Sequence, residues 1–89
     1  MTPSRRRALL AQMETCKQSS LVVEEATKHW RRDYEAYHAA MVSGRASSMP
    51  DQAVQDLTIR ASATYEALLD ALRVHANNLG RLRSLRGSF

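Results

Sequence analysis

The residues in this chain that could do chemistry are few and scattered. Its three histidines, His29, His38 and His75, form no HxxxH pair, and His29 and His38 are nine positions apart, on nearly opposite faces of a helix. Helical metal chelation needs two such ligands one turn apart on one face, so the expectation is surface histidines and no metal. The single cysteine, Cys16, cannot form an intrachain disulfide and has no nearby His, Asp or Asn to activate it. It reads as a small buried apolar residue. Glu24 and Glu25 would suit a di-metal helical bundle only with Glu-x-x-His motifs, which are missing. Helical pairing with Lys28 accounts for them instead. Gly-rich phosphate loops, G-x-S-x-G and Walker patterns are absent. These observations predict a non-enzyme that uses no cofactor.

Two other features suit recognition. Trp30, Tyr34 and Tyr37 stand at i, i+4 and i+7, on one face of a helix, with Arg31 and Arg32 beside them. Trp, Tyr and Arg dominate binding hot spots, although the same rings would also serve as the thick part of a packed seam. The second feature is charge. The net charge is +4, yet residues 8–80 carry seven basic and nine acidic residues. The excess lies at the ends, in Arg5, Arg6 and Arg7 and in Arg81, Arg83 and Arg86, with no acid in either end. In an antiparallel hairpin these six arginines share one pole, either as an anion-binding surface or as two solvated tails. Leu82, Leu85 and Phe89 add apolar character that a purely solvating tail does not need.

The elements that must position these residues are helices. Ala is frequent, β-branched residues are few, and Gly and Pro are rare. The clearest break runs from Ser43 to Pro50: Gly44 can end a helix in the left-handed conformation, and Ser48 with Asp51 resembles a capping box before the next helix. Helix A is therefore predicted at about 4–43, a loop at 44–48, helix B at about 49–80 and a basic tail at 81–89, all in a single domain 1–89. Thr2 and Pro3 start helix A. Its apolar stripe steps by three or four residues through Leu9, Met13, Cys16, Ser20, Val23, Thr27, Trp30, Tyr34, Tyr37 and Met41. The weak point is Gln18-Ser19-Ser20, where a break would give three helices. Helix B has a stripe of Val54, Leu57, Ala61, Tyr65, Leu68, Leu72, Ala76 and Leu79, widened by Leu69. Ile59, Ala63 and Val74 lie almost opposite, as a second, thinner apolar strip.

The expected fold is an all-α, long antiparallel helical hairpin. Eighty-nine residues bury a modest core, and leftover apolar strips tend to find partners, so a homodimer forming a four-helix bundle is the simple solution. A helix-turn-helix is the wrong reading: Ala40 to Gly44 has the turn's spacing, but Pro50 falls where a buried branched residue belongs and helix A is too long. No apolar run is long enough to span a membrane, and the apolar patch after Arg7 is too short for a signal peptide, so a cytoplasmic setting is expected. In length and two-helix architecture alone, the chain resembles the helical-hairpin co-chaperones of type III secretion needle subunits, and small phage-encoded hairpins that inhibit host proteins. That resemblance implies masking of a partner protein's surface. The functional expectation is a protein–protein interaction module, an adaptor, chaperone or inhibitor. Its candidate contact residues are Trp30, Tyr34, Tyr37, Arg31, Ile59, Val74, Arg81, Arg83 and Arg86. The alternative is a small basic nucleic-acid-binding regulator that uses the arginine pole.

Overall fold

A computed structural model describes residues 2–87. Two long helices, α1 (Pro3–Val42) and α2 (Asp51–Gly87), run antiparallel and are joined by a 3-10 turn over Arg45–Ser48, with no strand among the described residues. The molecule is a rod of 66 × 18 × 14 Å. No described helix is long and apolar enough to cross a membrane.

Helix α1 starts where the sequence signals it. The Thr2 hydroxyl accepts the Arg5 N–H at 3.2 Å, and Pro3 occupies the first turn, where no backbone donor is needed. The helix runs unbroken through Ser19 and Ser20. These serines do not divert the backbone, because Ser19 donates to Cys16 O one turn back at 3.0 Å. Gly44 ends the helix with φ +75°, the left-handed region that costs a side chain strain and glycine none.

Helix α2 differs from expectation at both ends. Ser48 does not cap it: its hydroxyl donates to Arg45 O, and Pro50 O receives the first amides of α2, from Ala53 and Val54. The segment 81–87 is not a loose tail but the last two turns of α2. Gly80 passes through as an ordinary helical residue because Leu82 and Leu85 continue the buried stripe as half-buried residues. Phe89 lies outside the described residues.

The seam between the helices is a heptad pattern, and half of it is rotated from the predicted stripes. On α1, Leu9, Cys16, Val23, Trp30 and Tyr37 face α2 as expected, but Gln12, Ser19, Ala26, Asp33 and Ala40 complete the seam. Met13, Tyr34 and Met41 remain 50%, 42% and 37% exposed. On α2, Val54, Leu57, Ala61 and Leu68 pack inward as expected, whereas Thr64, Ala71, His75 and Asn78 take the places predicted for Tyr65, Leu72, Ala76 and Leu79. Side-chain size explains the rotation. Two helices pack closely where small residues meet, and the most buried positions are Cys16, Ser19, Ala40, Leu68 and Ala71. Met13, Tyr34, Tyr65, Leu72 and Leu79 stand along the edge of the seam.

Candidate functional site

The aromatic residues cluster around the seam in its loop-side half. Trp30 and Tyr34 stack with ring centroids 5.3 Å apart, Trp30 meets Tyr65 of α2 at 6.0 Å, and Tyr34 meets Tyr37 at 6.5 Å. His38 stacks on the outer side of Tyr34 at 5.8 Å. Together with Thr58, Ala61 and Ser62, the rings of Trp30, Tyr34, Tyr37 and Tyr65 line an open groove of about 350 Å³. Sequence reasoning found three of these rings but assigned Tyr65 to the seam; the signal for its true place is the ring–ring attraction to Trp30 across the helices.

The groove opens onto a wider apolar face. Because Tyr34 and Tyr65 share the groove, the residues whole heptad steps along from each share its side of the rod: Met13 and Met41 on α1, and Leu72 and Leu79 on α2. Leu69 lies beside them. Tyr65, Leu69, Leu72 and Leu79 are 47%, 41%, 43% and 45% exposed. These heptad positions carry charge only toward the ends, at Arg6 of α1 and at Asp51 and Arg86 in the first and last turns of α2. Arg31 is exposed at its edge.

The other predicted contact residues do not join this face. Val74 is 55% exposed and lines a separate groove of about 380 Å³ with Ser19, Val22, Ala67, Asp70 and Ala71. Ile59 is 62% exposed and borders neither groove. The structure thus divides Ile59 and Val74, which the helix-B pattern had joined in one strip. The arginines do converge. Gln12 donates to Asn78 O at 2.8 Å, so the first turns of α1 and the last turns of α2 lie at one end of the rod. Arg81, Arg83 and Arg86 are exposed there, as are Arg5, Arg6 and Arg7.

A polar layer that the sequence did not signal crosses the seam in its terminal half. Ser19 and Nδ1 of His75 are 2.6 Å apart, and Cys16 Sγ donates to Asn78 O at 3.3 Å. His75 is therefore a half-buried seam residue and not the surface histidine expected. A hydroxyl has one hydrogen to give, so the two bonds of Ser19 together require His75 to donate through Nδ1. The Ser–His pair resembles a nucleophile and its base in distance. However, Ser19 sits mid-helix, where the backbone amides are spent on helical bonds and none is left to hold an oxyanion. His29 is exposed, as expected, and it pairs with Glu25 at 3.1 Å in place of the Lys28 pairing expected for that carboxylate. No group of three metal-ligating side chains occurs among the described residues.

A comparison with protein-family models found no match. No curated protein and no solved structure matched the chain either.

Proposed function

We propose that this chain is a non-enzymatic protein-interaction module that works by laying its Tyr34–Tyr65–Leu72–Leu79 face on another polypeptide, and that the occupant of this face is a second copy of the chain in a four-helix bundle. The observation that carries the reading is surface. The accessible area is 6690 Å², against about 5,200 Å² for a compact monomer of this mass. The radius of gyration is 19.6 Å, against about 12 Å for a compact domain of this length. No large side chain among the described residues is fully buried. Two helices have no third layer to close over their seam, and pairing two hairpins supplies it. The face carries Met13, Tyr34, Met41, Tyr65, Leu69, Leu72 and Leu79, all between 37% and 50% exposed, and burying such apolar side chains is what drives helical hairpins to pair. Service as an adaptor, chaperone or inhibitor would use the same face. A cytoplasmic setting belongs to the proposal, because a lone thiol such as Cys16 stays reduced there.

Sedimentation equilibrium tests it. The expected mass is twice the 10.0 kDa of the chain, with a melting temperature that rises with protein concentration. Leu72→Glu combined with Leu79→Glu places charge in the face and is expected to yield the monomer mass. A monomer at every concentration in the unsubstituted chain would sink the reading.

The second reading, nucleic-acid binding, is supported by the convergence of six arginines at one end. It predicts retention on heparin, with affinity that falls steeply as salt rises. Elution at low salt would remove it.

A further inference from the structure

We infer that the two copies pair end over end, so that Met13 and Leu79 of one copy seat in the Trp30–Tyr34–Tyr65 groove of the other. The inference rests on the dimer proposed above and assigns its orientation. Two hairpins can stack along this face with their loops at the same end or at opposite ends. Three observations separate the arrangements.

The first is charge at the poles. Arg5, Arg6, Arg7, Arg81, Arg83 and Arg86 share one end of the rod, with no acid among residues 1–7 or 81–89. Same-end stacking brings two such poles together. End-over-end stacking separates them along a 66 Å rod, many times the Debye length of about 8 Å at physiological salt.

The second is charge on the face itself. Asp51 and Arg86 begin and end α2. They are five heptads apart, hence on the same flank of a two-helix seam. End over end about the level of Ala71, Asp51 lies about 30 Å and Arg86 about 22 Å from the axis, so the long Arg86 side chain of each copy reaches along the rod toward Asp51 of the other. Same-end stacking lays α2 over α1 of the other copy, so Asp51 loses this partner and the like charges of the two copies stand at the same level of the bundle.

The third is shape. The aromatic groove occupies the loop-side half of the face, and the aliphatic Met13, Leu72 and Leu79 stand in the terminal half. At 1.5 Å of rise per residue, Tyr34 lies about 16 Å beyond Val23, near the middle of the rod, and Met13 lies about 15 Å before it. A two-fold axis through the middle therefore brings Met13 over the partner's groove. On α2, Tyr65 and Leu79 lie on either side of Ala71 at about 9 and 12 Å. Same-end stacking puts groove over groove and leaves both open.

The test is a distance between nitroxide labels at Val42→Cys, which is 71% exposed next to the turn, in a Cys16→Ser background. Ser at this position keeps a donor for Asn78 O. Circular dichroism and sedimentation confirm that the labelled chain is helical and dimeric. End-over-end pairing sets the two labels about 55–60 Å apart, from the helical rise on each side of the axis. A separation of roughly 20–30 Å, with the dimer mass retained, overturns the orientation and leaves the dimer standing. Monomer mass in the unlabelled wild-type chain overturns the dimer and the orientation with it. A charge swap gives a second readout that needs no label. Asp51→Arg and Arg86→Asp are each expected to raise the dimer dissociation constant about three- to tenfold, and the double swap to restore it. Additive losses in the double variant overturn the proposed contact.

Discussion

The two halves of the seam hold the same pair of helices by different physics. The loop-side half uses area and ring contact: Trp30 packs on Tyr34 and on Tyr65 of α2, with Ala40, Val54, Leu57 and Ala61 in the same half of the seam. The terminal half uses hydrogen bonds: Gln12 and Cys16 both donate to Asn78 O, and Ser19 meets His75. Apolar contact is strong but tolerant of sliding, whereas a buried hydrogen bond is worth little net and costly to break. The aromatic half therefore supplies most of the stability and the polar half fixes the register, as single polar residues do in coiled-coil seams.

The sharpest way to break this contrast is Trp30→Ala. It removes the ring that joins both helices and should cost about 3 kcal/mol, read as a fall in melting temperature at fixed protein concentration. Hydrogen exchange should quicken in the loop-side half more than in the terminal half. Equal quickening along the whole rod would show one cooperative seam and end the division.

Ser19→Ala comes next. It leaves His75 without its partner inside the seam, at a cost of about 1–2 kcal/mol. The double variant Ser19→Ala with His75→Leu removes both polar groups, and stability should return to within about 1 kcal/mol of the original. If it instead loses the sum of the two single costs, the pair is not coupled and the register assignment fails.

Gly44→Ala tests the turn that both halves depend on. Nothing lies within 4 Å of an added Cβ, so the whole cost is the left-handed backbone, about 1 kcal/mol. The smallest effect belongs to Ile59→Ser, on neither groove, which should stay within about 0.5 kcal/mol. A larger loss would reveal a contact on the back of α2.

Much of the hairpin was legible because its signals are local. Thr2 and Pro3 cap α1, Gly44 ends it, and both helices repeat apolar residues every three or four positions. The extent of α2 was misread at Gly80, since a glycine weakens a helix only modestly and packing of Leu82 and Leu85 outweighs it. The seam was misread for a related reason. Ranking positions by hydrophobicity favours Met13, Tyr34, Leu72 and Leu79, whereas close approach of two helices favours Ala26, Ala40, Ala71 and Ser19. The polar layer had no signal at all, because Ser19 and His75 are 56 positions apart and each alone looks like a surface residue.

Local chemistry thus determined that the chain is two long helices around one turn, because capping, glycine conformation and helical propensity act within a few residues. Which flank of each helix faces the other, which rings build the groove and which apolar side chains stay outside were decided only by tertiary packing. Those choices depend on how side chains from distant positions fit across a gap of less than one side-chain length, and no property of either helix alone contains that fit.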